Sequence, residues 1–470
     1  MVERRMDVTM AQFTRSALAT LTTLAMSLAL TPVSVLAAPP PVETQRQVKL
    51  FKLPGGLNQT PVFNSNSPEI VQEEGILLSS LPGPEGSKTP FLNFAFQGNF
   101  SVFSHHIAKD NQPGERLLYL GLLASNQQDT PVTIELKSGA SYLSQPDALF
   151  ASLPPVQANP DAKIYAGPGD RVATELVAGK SQFSPLKIEI PARSTVLLSS
   201  LPIPTDVAIL PPINGRSTLM HFHSDGPVYL SQVAKFANGA SEAPSLDDYR
   251  EILNQRVLAG VREQEPTPYH PMDPPPTGAF RYGRVAGIQQ GNLWSGKLFD
   301  RISILEMPAP GAISAYPIAS TYLKRMGTEQ NQSANLLARY PDTAYQAHGN
   351  YGVHYELALP FNNPDPFFRN YALRLSSPAN ISGPASNATL TYLYPPSQQV
   401  VFRGSVRLQW VDEYQQQQDQ IVHLVLRQGE EAPPMALLTI PPGRRYDVKL
   451  SLIYPADATP PQLLTIERLD

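Results

Sequence analysis

Along most of this chain apolar and polar residues alternate with a period of two, and proline closes one alternating run after another. In "RLLYLGLLASNQQDTPVTIELKSGA", Leu117 to Leu123 form an apolar run that the polar "SNQQDTP" interrupts. Val132, Ile134 and Leu136 then share one face, opposite Thr133 and Glu135. The pattern predicts a β-hairpin whose second strand is half-exposed. Proline makes up 49 of 470 residues, about twice its ordinary ~5% share. Proline cannot donate to a β-ladder and cannot sit inside a helix, so strands here should be short and joined by irregular loops. Hydrophobic residues reach 42%, more than a disordered chain carries.

The same grammar recurs in the C-terminal third. "LKIEIPARSTVLLSSLPIP" and "MALLTIPPGRRYDVKLSLIYP" both close one strand on Ile-Pro, follow it with an arginine, and end a second strand on Ile-Pro or Ile-Tyr-Pro. Asn126 stands upstream of Ile190 much as Asn362 stands upstream of Ile440. Between these stretches, Ser245 reads as an N-cap with Asp247 and Asp248 in the first turn, where the helix dipole favours acid. Leu246, Tyr249, Ile252, Leu253, Val257 and Val261 fall at helical spacing, which predicts an amphipathic helix over 246–262. "EPTPYHPMDPPP", six prolines in twelve residues, reads as a stiff extended linker. "QQQQ" at 415–418 reads as a polar hairpin loop. The expected fold class is mainly β: two immunoglobulin-like β-sandwich domains joined by a mixed segment with one amphipathic helix and a Pro-rich linker. The boundaries are 1–37 for a signal peptide, 38–240 for the N-terminal sandwich, 241–280 for helix and linker, and 281–470 for the C-terminal β-rich domain. The parallel between the two β segments reflects either a duplication or the shared grammar of any two sandwiches.

The first residues have the layout of a secretion signal. Arg4, Arg5 and Arg15 precede an uncharged apolar stretch from Ser16 to Leu30, and Val35 and Ala37 fit the small-residue rule for cleavage after Ala37. The apolar stretch is shorter than the ~20 residues a bilayer span needs. The expected location is therefore exported, periplasmic or extracellular, with no transmembrane segment after cleavage. The chain has no cysteine, which removes thiol catalysis, Cys-ligated zinc and iron–sulfur clusters, and leaves the fold to its core alone. The net charge is −4, with no basic block interleaved with aromatics, so no nucleic-acid partner is expected.

One stretch resembles a metal site. His221-Phe222-His223-Ser224-Asp225 matches five positions of H-x-H-x-D-H, the signature of metallo-β-lactamase-like hydrolases. Alternate residues of a strand share a face, so His221 and His223 could reach one ion. Gly226 stands where the third histidine belongs, and "GPVYLSQVAKFA" continues as a strand instead of a loop and helix. Asp225-Gly226 thus reads as a hairpin turn, with single-metal binding at His221/His223 as the alternative. His105 and His106 are adjacent and should face opposite sides of a strand. "YAGPGDR" at 165–171 is glycine-rich but lacks the lysine of a phosphate loop and is expected to be a turn between strands, with no helix after it. No nucleophile elbow, Walker loop or dinucleotide fingerprint occurs, and no cofactor is expected.

The richest polar-aromatic run is "ARYPDTAYQAHGNYGVHYE" at 338–356. Rings that stack beside groups that fix orientation suit a sugar or peptide site, so Tyr340, Asp342, His348, Asn350 and Tyr351 are the candidate ligand-binding residues. A tyrosine-rich loop that satisfies its own backbone is the alternative. The segments "LYLGLLASN", "GASYLSQPDALF", "YAGPGDR", "RYPDTAYQAHGNYG" and "YPADATPPQLLTI" together resemble a functionally uncharacterised family of exported cyanobacterial proteins, over most of the mature chain. The resemblance implies an exported protein and brings no catalytic residues with it. The expected function is a non-catalytic envelope or periplasmic protein that binds a polysaccharide or an envelope protein through loops at the sandwich ends. The alternative is an enzyme acting on envelope or extracellular polysaccharide, which a concave cleft lined by two carboxylates would favour.

Overall fold

The computed structural model describes residues 40–83, 90–109, 116–205, 213–237, 242–270, 273–274, 276–298 and 308–470. The expected signal peptide, 1–37, lies outside them, as does part of the Pro-rich linker. Pro41–Asp470 forms one compact unit, mainly β and built on three sheets. Among the described residues no helix is long and apolar enough to cross a membrane.

Two of the sheets contain the same arrangement of seven strands. One runs in the order Leu186–Ile190, Val132–Leu143, Ile213–Phe236, Phe96–Lys109, Pro61–Ser65, Ala286–Gln290 and Ala334–Arg339. The other runs Ala436–Ile440, Arg369–Ser376, Gln462–Arg468, Ile313–Ile318, Val42–Leu50, Ala388–Tyr394 and Asn380–Ser382. In both, the pairing of the fourth strand with the fifth is parallel and all the others are antiparallel. Pairing crosses the expected boundaries at 240 and 281. Val42–Leu50 joins the C-terminal strands, while Ala286–Gln290 pairs with Pro61–Ser65 and Val156–Ala158 pairs with Gln417–Arg427. The N-terminal set thus begins after Val42–Leu50, and its last strand, Ala334–Arg339, follows Ile313–Ile318, so the two sets are interleaved along the chain. Alternation reports which face of a strand is buried and carries no information about its neighbour.

The predicted hairpin at 117–136 does not form. Arg116–Ser125 pairs with Thr195–Thr205 and with Tyr229–Phe236, whereas Val132–Leu143 pairs with Leu186–Ile190 and with Arg216–Ser224. The chain turns the corner between these layers at Asn126, which is fully buried. Its Nδ2 donates to the carbonyls of Thr130 (2.8 Å), Ile190 (3.0 Å) and Pro191 (3.2 Å), and its Oδ1 accepts from Gln128 N (2.8 Å). Asn363 repeats this set on Phe367, Ile440, Pro441 and Asp365 N, at 2.7, 2.8, 3.1 and 3.1 Å. Asn363, and not the Asn362 of the sequence parallel, is thus the counterpart of Asn126.

Nor is Asp225-Gly226 a hairpin. Ile213–Phe236 is one 24-residue strand whose register against Phe96–Lys109 shifts between Ser224 and Val228. Two-residue hairpin turns need positive φ, and neither Asp225 nor Gly226 has it. Asp225 Oδ1 instead accepts from Thr133 N (2.7 Å), and a Cβ on Gly226 would meet Val132 Cγ2 at 2.8 Å. The dipeptide bends the strand from one layer into the other.

The predicted helix forms over Leu246–Gln255 with a Ser245/Asp248 capping box, and stops short of 262 because Arg256 turns left-handed at φ 58°. Leu258 and Gly260 then bridge to Ile76 and Glu73. A second helix, Pro168–Val177, begins inside "YAGPGDR", where only a turn was expected. Its buried face enters a cluster with Phe103, Tyr142, Leu219 and Ile453, which draws on strands of both halves. Of the glutamines at 415–418, Gln415 and Gln416 lie in the hairpin loop after Val400–Val411, and Gln417 and Gln418 open its second strand, Gln417–Arg427.

Candidate functional site

Where the halves meet, two adjacent cavities share Arg284, Tyr351 and Thr459 in their walls. The larger, about 760 Å³, is walled by Glu69, His105, Ile213 and Gly215 from the N-terminal half and by Ala456–Thr459 from the C-terminal half. Leu149 and Phe150, both more than half exposed, stand at its edge. The Arg403 guanidinium lies 5.2 Å from the Phe150 ring centroid. The smaller, about 330 Å³, lies against Asn64, Asn66, Tyr282, Lys324 and His348.

The polar groups of the larger cavity are held in place. Glu69 forms an ion pair with Arg284, and burial raises its proton affinity against the opposing pull of that guanidinium. His105 Nδ1 is 2.8 Å from Ser217 Oγ. Burial, with Arg284 and His106 nearby, lowers its pKa to about 3, so it is neutral near pH 7. The adjacent His106 is bound between Ser65 Oγ (3.0 Å) and the Pro68 carbonyl (2.8 Å), and burial lowers its pKa to about 4.

Asp457 is placed by the second helix. Asp170 N donates to its Oδ2 at 2.8 Å, so a carboxylate of the chain itself occupies the helix N-terminus where a phosphate loop would hold its ligand. Gly167, at φ +116°, is required at this turn, because a Cβ there would lie 2.5 Å from Asp457 Oδ2. Burial pushes the Asp457 pKa up to about 7, and the charge of nearby Asp170 adds to that, against the pull of the backbone N–H groups and Arg403. Asp170 Oδ2 in turn takes a 2.7 Å hydrogen bond from His423 Nε2, and both side chains are wholly enclosed. That pair therefore holds the helix against the strand Gln417–Arg427 and has no path to a substrate.

The candidates at 338–356 separate into two groups. Tyr340 is buried; its hydroxyl accepts from Ser79 N (3.0 Å) and donates to the Pro90 carbonyl (2.6 Å). Asp342 is held by Arg262 through two bonds of 2.8 and 2.9 Å. Asn350, buried at φ 52°, bonds to Gln332 O, Ala334 N and the Tyr355 hydroxyl. These three are engaged within the framework. His348 and Tyr351 reach the cavities. His348 Nε2 lies 3.0 Å from the Tyr269 hydroxyl, and burial lowers the His348 pKa to about 3. Tyr351 donates to the Ala458 carbonyl at 3.0 Å.

His221 and His223 are paired along their strand with different partners. His221 Nδ1 is 2.9 Å from Ser101 Oγ, and half-buried His223 has its Nδ1 2.9 Å from Asn99 Oδ1. Among the described residues no group of three His, Cys, Asp or Glu side chains is placed to hold a metal ion.

Sequence reasoning missed Glu69, Arg284, Lys324 and Asp457. Each stands alone in its segment, and only the pairing of distant strands brings them together. Asp457 had a partial signal in the quoted "YPADATPPQLLTI".

The profile of a family described as "Protein of unknown function (DUF3370)" matches residues 47–468. The chain belongs to this family. The match takes in every wall of both cavities. No curated protein matches the chain. Among solved structures, pumpkin seed globulin is similar at 10% identity over 86% of each chain with a TM-score of 0.13. Procruciferin, an 11S globulin from Brassica napus, is similar at 10% identity over 85% of each chain with a TM-score of 0.11. Likenesses this weak carry no argument about the fold.

Proposed function

We propose that this is an exported, non-catalytic envelope or periplasmic protein that binds a polysaccharide or an envelope partner in the cleft between its halves. The proposal moves the binding surface from loops at the sandwich ends to the junction. The observation that carries it is the cavity of about 760 Å³ lined by Glu69, His105, Arg284 and Asp457, with Phe150 exposed at its edge. That volume lies within the ~300–1,000 Å³ of small-ligand sites, and an exposed ring beside convergent polar groups suits the apolar face and hydroxyls of a sugar. Export rests on the charged and apolar layout of residues 4–37. We further propose that the halves are two immunoglobulin-like sandwiches whose strands interleave along the chain; the matching strand orders and the Asn126 and Asn363 corners support this.

The same cleft favours a second reading. Two carboxylates, Glu69 and Asp457, line it, and burial raises the proton affinity of both, as a polysaccharide hydrolase requires of its acid. Incubation with envelope and extracellular polysaccharides separates the two. Saturable binding without new reducing ends supports the binding protein. Turnover that Asp457→Asn abolishes replaces it with the enzyme, and neither binding nor turnover removes both.

A further inference from the structure

The smaller cavity has a chemistry of its own. Asn64 and Asn66 are each at least 95% buried, and the Oδ1 of each lacks a hydrogen-bond partner among the described residues. The orientation of Asn64 is fixed by its neighbours. Gln289 Nε2 donates to the Gly291 carbonyl at 2.8 Å, so Gln289 Oε1 is the acceptor for Asn64 Nδ2 at 2.7 Å. The free end of Asn64 is therefore its oxygen. A buried carbonyl oxygen without a donor is a place where a ligand hydroxyl gains a full hydrogen bond.

The wall also carries positive charge. Lys324 has no ion-pair partner among the described residues and lines this cavity beside Arg284, whose carboxylate partner Glu69 lies on the neighbouring one. The Tyr282 and His348 rings, centroids 4.1 Å apart, form an aromatic wall. A ligand that answers all three features carries hydroxyl donors, a carboxylate and a ring face. At about 330 Å³ the space suits one ring and its substituents. We propose that this cavity is a subsite for one uronic-acid residue of an acidic polysaccharide. Its hydroxyls donate to Asn64 and Asn66 Oδ1, and its carboxylate meets the Lys324 ammonium.

This assignment rests on the binding reading of the cleft, and titration calorimetry separates the two. The probes are tetragalacturonate and tetramannuronate, with cellotetraose as the neutral counterpart. The expected result is saturable binding of an acidic tetrasaccharide, at least about tenfold tighter than cellotetraose. Lys324→Gln and the isosteric Asn66→Asp, each shown by its melting curve to be folded, should each weaken that binding about tenfold or more. Equal affinity for acidic and neutral probes, or no effect of Lys324→Gln, overturns the uronate subsite and leaves the cleft as a binding site. Failure of all three tetrasaccharides to bind overturns both as polysaccharide sites.

Discussion

The Asn126 and Asn363 corners carry the same hydrogen bonds, yet the strands around them are used differently. In the N-terminal half Ile213–Phe236 serves both layers by bending at Ser224–Val228. In the C-terminal half the corresponding strand, Gln462–Arg468, serves one layer, and Val400–Val411 and Gln417–Arg427 extend the other. Both strands emerge from the cleft, one through Ile213 and Gly215 and the other through the loop Ala456–Thr459. What the halves share is the framework of a sandwich. What differs between them shapes the cavity and supplies its charges, and that is where function is sought.

The comparison can be broken most sharply at its corners. Asn126→Ala and Asn363→Ala each leave buried carbonyls without donors, so each should cost about 2–4 kcal/mol. Equilibrium unfolding in urea checks this. Similar losses mean equivalent corners, whereas a loss under ~0.5 kcal/mol at one of them breaks the equivalence.

Acid should separate the halves. His105, His106 and His221 lie in Phe96–Lys109 and Ile213–Phe236, and burial lowers their pKa values to about 3, 4 and 4. The corresponding strands Ile313–Ile318 and Gln462–Arg468 contain no histidine. A folded pKa below the unfolded ~6.5 gives stability that is present above pH 6.5 and is lost as pH falls toward 4. Amide exchange, corrected for intrinsic rates, should therefore rise more in the histidine-bearing strands than in their counterparts between pH 7 and 5. Equal rises contradict the asymmetry.

Asp457 works in the opposite sense. Its folded pKa of about 7 lies above the unfolded value, so the contribution is complete below about pH 4 and is lost as pH rises through 7. Asp457→Asn should gain melting temperature relative to the natural protein between pH 5 and 8; parallel pH profiles would show that the carboxyl is not strained there. The smallest effect is expected at half-buried His223, where His223→Ala should change stability by less than ~0.5 kcal/mol and leave zinc content unchanged.

Local patterns in the sequence were good guides to local structure. Ser245 caps its helix, Gln415 and Gln416 lie in a hairpin loop, and one of the two asparagines in the repeated spacing, Asn126, has a structural counterpart one residue from the other. They fail where a residue's role depends on a distant partner. Val42–Leu50 alternates like any strand and gives no sign that it belongs with Ile313–Ile318. "DG" in Asp225-Gly226 carries turn chemistry, which the close approach of Val132 converts to a bend. In the tyrosine-rich run Tyr340 and Asn350 face inward to complete the backbone's hydrogen bonds, and of the five candidates His348 and Tyr351 line the two cavities. Glu69, Arg284 and Asp457 acquire meaning only when three segments far apart in the chain share one wall.

Hydrogen–deuterium exchange with and without saturating acidic tetrasaccharide tests the central claim, that the protein binds at the junction of its halves, most directly. The account predicts slowed exchange confined to peptides containing 64–69, 282–285, 348–351 and 456–460, with the outer loop at 412–416 unchanged. Protection at the loop 412–416 with none at these four segments would contradict it.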